Sequence, residues 1–122
     1  MVVRTTVLPV VDNSGARTAL CIGILRVSNR AAVVGDELIV SVRNVVSNKK
    51  IMKGDVRLAL LVRQKGFVNR YNGLQVSFKS GAVVILNRKD HTLFGNRIKG
   101  PVMQELRYKH YLRILCLAPS VI

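Results

Sequence analysis

The residues most capable of catalysis or ligand binding in this chain lie together near its start. They are Asp12, Asn13, Ser14 and Gly15, followed at Arg17 by a cation. An acid two residues from a serine could serve a hydrolase, and a glycine near an arginine could belong to a phosphate or metal loop. The stretch has no neighbouring base, no metal-ligand partners and no glycine-rich cradle. Each of the four residues favours turns, so we predict a turn with Asp12 as its cap.

The remaining reactive residues offer little to an enzyme. His91 and His110 stand in polar, basic surroundings, and no Cys-X-X-Cys motif or Cys/His cluster is present to hold zinc. The segment "GNRIKG" follows a polar loop and starts no helix, so it is not a phosphate-binding glycine motif. Cys21 and Cys116 lie in apolar segments and are expected to be buried free thiols of a reducing compartment. We therefore expect no catalytic residues, no metal and no cofactor.

Charge is the strongest compositional signal. Among 122 residues there are 20 Lys+Arg and 6 Asp+Glu, a formal net charge of +14, and the sequence pI is about 11.0. So large a charge opposes compaction and is usually neutralised by a polyanion. An anionic membrane is the rival partner, but no wholly apolar run is longer than the five residues of Ala82–Leu86, and no signal segment or long amphipathic basic helix is evident. We therefore expect nucleic acid and no membrane.

The elements that would position these residues are mainly strands. Short apolar runs alternate with turn signals, as in a small all-β domain. In residues 37–42 alternate positions are apolar, whereas Ala82–Leu86 is continuously apolar and should be covered on both faces. Gly-Asp precedes two runs, so Asp36 and Asp55 are interpreted as turn residues. The predicted strands are Thr6–Val11, Thr18–Val27, Glu37–Val42, Val56–Arg63, Leu74–Phe78, Ala82–Asn87 and Leu112–Leu117.

One short helix is predicted from Pro101, with Val102 and Leu106 on one face and Glu105 paired with Lys109. So many strands in so short a chain favour a closed or nearly closed barrel, because closure removes exposed edges. The predicted fold is a small five-stranded β-barrel with a short C-terminal helical segment, a single domain over residues 1–122.

The basic residues fall in clusters. Phe67 and Tyr71 lie between cations in "RQKGFVNRYNG", where a ring could stack on a base while the cations hold phosphates. Asn72-Gly73 is a hairpin-turn pair. The first cluster comprises Arg43, Lys49, Lys50, Lys53, Arg57, Arg63, Lys65 and Arg70, and the second comprises Arg88, Lys89, Arg97, Lys99, Arg107, Lys109 and Arg113.

Several short motifs occur in a family-specific order. They include "VVDNSGAR" with "LCIGIL" after it, "VGD" at 34–36, "KGDV" at 53–56, "LLVR" at 60–63, "GNRIKGPV" at 95–102, "QELR" at 104–107 and "LAPSVI" at the end. In this order and at these spacings the chain resembles the large-subunit ribosomal protein L-fourteen family from end to end.

The resemblance implies a non-catalytic, structural constituent of the large ribosomal subunit, active in translation. It would bind large-subunit rRNA at the subunit interface and help form a bridge to small-subunit rRNA. Its expected neighbours are ribosomal proteins L-three and L-nineteen, and a ribosome silencing factor could dock on it. The RNA-binding residues expected from the charge clusters and the resemblance together are Ser14, Arg17, Arg30, Arg43, Lys49, Lys50, Lys53, Arg63, Lys65, Arg70, Arg88, Lys89, Arg97 and Lys99.

The chain departs from the usual family pattern in places. The stretch "RVSNRAAVVGD" is one residue shorter and has Arg30, Ala31 and Ala32 where the family usually has Arg-Arg-Tyr, while Phe67 and Tyr71 replace a frequent glycine and proline. Such drift in a short chain favours an organellar ribosome, with the mitochondrial matrix preferred over a bacterial cytoplasm or a plastid.

Two other functions remain open on the sequence alone. A free barrel protein that binds RNA or single strands in trans would use the same charges and loop aromatics. A small hydrolase using Asp12 and Ser14 is the more distant alternative.

Overall fold

The computed structural model describes residues 2–25, 30–47 and 49–122. Within these ranges, seven strands are followed by two short helices, the first of them a 3-10 helix. The strands are β1 (Val7–Pro9), β2 (Ala16–Ile24), β3 (Glu37–Val45), β4 (Val56–Arg63), β5 (Val68–Asn69), β6 (Gln75–Val76) and β7 (Ala82–Leu86). The 3-10 helix spans Gln104–Lys109, and α1 spans Leu112–Leu117.

Five of the strands form one curled antiparallel sheet in the order β1-β2-β3-β4-β7, and β5 and β6 form a separate hairpin. The curl brings the two edges of the sheet together just after β1. There Val11 N–H donates to the Val83 carbonyl over 3.0 Å, and Val10 forms a parallel bridge with Val83. The mainly β architecture is therefore confirmed as a half-barrel, with its edges joined beside the turn at residues 12–15.

Apolar side chains cover both faces of β4 and β7, the two strands at one side of the sheet. Every residue of β7 is buried, which confirms that this strand is covered on both faces. Alternation divides each strand between two clusters, one inside the curl and one outside it. The inner cluster takes Ala59, Leu61, Val83 and Ile85, and the outer cluster takes Leu58, Leu60, Val62, Ala82, Val84 and Leu86.

The C-terminal segment covers the outer face of β4 and β7. Met103 and Leu106 are buried there together with Ile114 and Leu115 of α1. The predicted strand Leu112–Leu117 is therefore wrong, since the segment is helical. A short apolar run suits either structure. β4 is already paired with β3 on one side and with β7 on the other, and β7 pairs with the chain after β1. The C-terminal segment therefore packs on the face of the sheet, as a helix.

Several smaller expectations need correction. Leu74–Phe78 contributes only the two residues of β6, and the helix expected from Pro101 begins at Gln104. Val27, the expected end of β2, lies outside the described residues. Glu105 pairs with Arg70 instead of Lys109, because the β5–β6 hairpin packs beside the 3-10 helix.

The cysteines confirm one expectation and contradict another. Both thiols are free, and Cys21 is buried inside the sheet, where burial raises the pKa of its thiol. Cys116 is exposed rather than buried, because α1 turns its Ile114 and Leu115 face inward and leaves position 116 outside.

The two Gly-Asp turns have the predicted construction. The Asp36 carboxylate accepts from Val33 N–H at 3.0 Å, and the Asp55 carboxylate accepts from Met52 N–H at 3.2 Å. The preceding residues, Gly35 and Gly54, have φ values of +87° and +90°. The acids therefore close turns, as expected. Within the described residues, no helix is long and apolar enough to cross a membrane.

Truncation inside the curl should be costly. Leu61 is fully buried and Leu74 is 60% exposed. Leu61→Ala should lower the free energy of unfolding by about 2–5 kcal/mol, since it removes apolar contacts and leaves a cavity. Leu74→Ala, the matched control, should change it by less than about 0.5 kcal/mol. Urea denaturation measures both, and equal losses would contradict the assignment of the core.

Asp36 should make the fold sensitive to acid. Burial pushes the pKa of Asp36 up, but hydrogen bonds from Lys109 and Val33 N–H and the charges of Lys109 and Arg30 together hold it below 3.8. The stability due to the charged carboxylate is present above pH 3.8 and lost as pH falls through the lower folded pKa. Asp36→Asn should therefore have a lower free energy of unfolding than the wild type near neutral pH. This difference between the two proteins should disappear in acid.

Denaturation midpoints across that pH range measure the gap for Asp36→Asn. Asp90→Asn, at an exposed acid, is the control and should show a much smaller gap. A gap for Asp36→Asn that stays constant down to strong acid would contradict the assigned role.

Candidate nucleic-acid interface

The turn at residues 12–15 is built around the buried carboxylate of Asp12, which is 6% exposed. One carboxylate oxygen accepts from Ser14 N–H at 3.1 Å and from the Ser14 hydroxyl. The other accepts from Ile85 N–H of β7 at 2.8 Å. Asp12 is confirmed as the cap of the turn, and it also ties the turn to the far strand of the sheet.

Burial dominates the titration of Asp12. Desolvation raises its pKa, and the hydrogen bonds from Ser14 and Ile85 only partly oppose that effect. The side chain is therefore a structural acceptor, enclosed by the turn and β7.

Gly15 lets a lysine approach the turn closely. Its φ is +108°, and a Cβ on this residue would lie 2.4 Å from the Cβ of Lys49. Glycine is thus required twice, for the backbone conformation and for space. The close approach holds the stem of Lys49 against the turn.

Asn13 joins the turn to a segment more than eighty residues away. Its side-chain oxygen accepts from Asn96 N–H at 2.9 Å and from Arg97 N–H at 3.2 Å. Lys99 N–H donates to the Val11 carbonyl at 2.6 Å. Sequence reasoning missed Asn13 as a site residue. Its membership of a turn was visible, but its distant partners were not.

Two surface pockets flank the turn, and Asn13 and Lys49 line both of them. Three cations, Arg17, Lys49 and Lys99, line one of them. The other is lined by residues including Ser14, Lys50 and Phe94, a ring with the guanidinium of Arg57 at 5.4 Å from its centroid. We call the five predicted residues gathered here the turn cluster. Four are the exposed cations Arg17, Lys49, Lys50 and Lys99, and the fifth is Ser14, which is buried at 5% exposure with its hydroxyl donating to Asp12.

The charge of the turn cluster has no counterion in the described part of the chain. None of its four cations forms an ion pair there. The nearby acid, Asp12, is buried beneath the turn. The cluster is therefore a surface of uncompensated positive charge, suited to an anion with repeated phosphates.

Two of the arginines predicted to contact RNA form ion pairs with acids. Arg30 lies 3.1 Å from a carboxylate oxygen of Asp36. Arg70 binds Glu105 through two contacts of 2.7 and 3.3 Å and donates to the Ile122 carbonyl at 2.6 Å. These arginines stabilise the positions of loops.

Arg63 is partly buried at the end of β4. Its guanidinium lies 5.9 Å from the centroid of the Phe78 ring, and burial lowers its pKa. Within the described residues, its Nε is buried without a hydrogen-bond partner. This arginine lies outside the turn cluster.

The other predicted RNA-binding residues are exposed but lie outside the turn cluster. They are Arg43 on β3, Lys53, Lys65, Arg88 and Lys89 in loops, and Arg97 beside Asn13. The Asn72-Gly73 turn of the β5–β6 hairpin is confirmed, with Gly73 at φ +80°. Phe67 and Tyr71 on this hairpin are 72% and 105% exposed.

The two histidines do not assemble a catalytic or metal site. His91 lies 2.8 Å from a Glu37 carboxylate oxygen, which also accepts from the Tyr111 hydroxyl at 2.8 Å. Among the described residues, no group of three or more His, Cys, Asp or Glu side chains could hold a metal ion.

A curled five-stranded sheet that carries uncompensated cations at its rim defines a small, basic, mainly β protein. The sequence matches the family model for Ribosomal protein L14p/L23e over residues 1–122, and the chain therefore belongs to this family. Its proteins are structural constituents of the large ribosomal subunit in translation and are not enzymes. The hydrolase alternative is thereby excluded.

Asp12→Asn tests the construction of the turn. The amide replaces one buried acceptor oxygen by a donor, so the variant should lose about 1–3 kcal/mol of unfolding free energy. Because the folded pKa of Asp12 is raised above 3.8, its contribution to stability is full below pH 3.8 and declines as pH rises through the folded value. The gap between wild type and Asp12→Asn should therefore narrow from pH 3.8 upward. Denaturation at several pH values measures it, and a widening gap would contradict the assignment.

Proposed function

We propose that this chain, as one domain of the large ribosomal subunit, binds large-subunit rRNA at the subunit interface through the turn cluster. The observation that carries the proposal is the convergence of Arg17, Lys49, Lys50 and Lys99 on one turn without an acidic partner in the described residues. These residues come from three separate parts of the sequence. Their meeting at the joined edges of the sheet supports a shared ligand.

The chemistry of the turn cluster suits a phosphate backbone. The planar fork of Arg17 can bind two phosphate oxygens, while lysines act as point charges. Each neutralised phosphate releases counterions, so log affinity falls with log salt by about 0.9 per phosphate on duplex RNA or about 0.7 on a single strand, by analogy with DNA. The net charge of +14 favours such binding over the whole surface.

Family membership supports the remaining parts of the proposal. They are a contribution to a bridge with small-subunit rRNA, contacts with ribosomal proteins L-three and L-nineteen, and docking of a ribosome silencing factor. The rest of the fourteen basic and polar residues expected from the sequence are proposed as additional rRNA contacts, with Arg30, Arg63 and Arg70 contributing least because the fold already engages or buries them.

The proposed location is a mitochondrial ribosome. The sequence departures support it, namely the stretch with Ala31 and Ala32 in place of bulkier family residues, and the aromatic residues Phe67 and Tyr71 on the hairpin. Co-sedimentation of the chain with mitochondrial rather than cytoplasmic large subunits tests this part separately.

The RNA-binding proposal is tested by the double variant Arg17→Ala/Lys99→Ala. Losing two phosphate contacts should reduce the log–log salt slope for deproteinised large-subunit rRNA by about 1.8 on duplex segments, with little change in thermal stability because both side chains are exposed. Filter binding across a salt series measures the slope.

The matched control is Lys79→Ala/Arg113→Ala, which removes the same charge from exposed sites outside the turn cluster. Its slope should change less. Equal changes in the two double variants would show that only net charge matters and would contradict the proposed surface.

A further inference from the structure

The segment between Phe94 and Ile98 carries one cation, Arg97, and belongs to no helix or strand. Its ends are held by backbone contacts: Phe94 N–H donates to the Ile85 carbonyl at 3.0 Å, and Ile98 is bridged to Asp12. Between these ends, the N–H groups of Asn96 and Arg97 donate to the side chain of Asn13. The exposed side-chain amide of Asn13 therefore binds backbone N–H groups of this segment that a neighbouring strand would otherwise bind.

Gly95 shows how closely the segment is fitted to that amide. A Cβ on Gly95 would lie 2.6 Å from the side-chain oxygen of Asn13 and 3.4 Å from the Asn13 backbone nitrogen. The Asn13 amide nitrogen also donates to the side-chain oxygen of Asn96. Three hydrogen bonds therefore hold this contact, and the absence of a Cβ on Gly95 leaves the space that it needs.

The contact lies at the surface, beside charge rather than core. Asn13, Asn96, Arg97 and Lys99 are all exposed, and within the described residues neither cation has an ion-pair partner. Hydrogen bonds in such a place add little to global stability. Their effect is to hold an irregular segment in one conformation before a ligand arrives, which lowers the ordering cost of binding.

We propose that Asn13 is a positioning residue for RNA binding, which fixes residues 95–97 so that Arg97 contacts the same phosphate backbone as Lys49 and Lys99. The inference rests on the proposed function and deepens it. Asn13 needs no contact with RNA in this role, because it acts through the two backbone N–H groups that it binds.

Asn13→Ala tests the proposal, with Asn72→Ala as the matched control. Asn72 is also an exposed turn residue whose side chain accepts a backbone N–H, that of Leu74 at 3.1 Å. Asn13→Ala should speed hydrogen exchange at the amides of Asn96 and Arg97 and lower the salt slope for deproteinised large-subunit rRNA by about 0.9, the loss of one phosphate contact on duplex segments. Asn72→Ala should change neither quantity, and both variants should keep the thermal midpoint of the wild type.

The outcomes separate the two proposals. If the wild type binds rRNA without a salt-dependent slope, the proposed function fails, while the exchange measurement still reports on the segment. If the wild type binds as expected and Asn13→Ala keeps its slope, or leaves exchange at 96 and 97 unchanged, the positioning role is refuted. Should Asn13→Ala fail to fold, Gly95→Ala displaces the same oxygen from the other side and should give the same two changes.

Discussion

The rim of this protein depends on the buried carboxylate of Asp12. It accepts hydrogen bonds from Ser14 within its own turn and from Ile85 on β7, the strand at the other edge of the sheet. The same place carries the backbone contact between Val11 and Val83 that joins the two edges. The same carboxylate therefore shapes the turn and helps to join the two edges of the sheet. Every residue of the turn cluster is positioned relative to this junction.

The distribution of acids explains why the cations of the turn cluster are left for a ligand. Asp36, Asp55 and Glu105 each pair with a cation while closing a turn or anchoring a loop, and Asp12 is enclosed. With six acids against twenty bases, the fold neutralises a few cations that hold its loops. The repulsion among the rest is a cost to the free chain, and a phosphate backbone would relieve it.

Local pattern was enough to predict much of the fold. Alternation in β3, the continuous burial of β7 and the Gly-Asp turns at Asp36 and Asp55 follow from strand periodicity and from the conformations that glycine allows. Leu112–Leu117 was mispredicted as a strand because a six-residue apolar run has no period long enough to exclude either structure. Cys116 was expected to be buried for the same reason, since the side that faces inward is chosen by packing against β4 and β7.

Amino-acid order alone is enough to identify a basic, mainly β chain of the Ribosomal protein L14p/L23e family, a turn capped by Asp12, and the residue types that could bind RNA. Which cations act together is settled only when the chain folds. Arg17, Lys49 and Lys99 meet at the turn, whereas Arg30 and Arg70 are engaged by Asp36 and Glu105. Turn chemistry and strand alternation act between near neighbours in sequence. The Arg70–Glu105 ion pair and the amide of Asn13 act across 35 and 83 residues, and only the folded sheet brings these partners within hydrogen-bond distance.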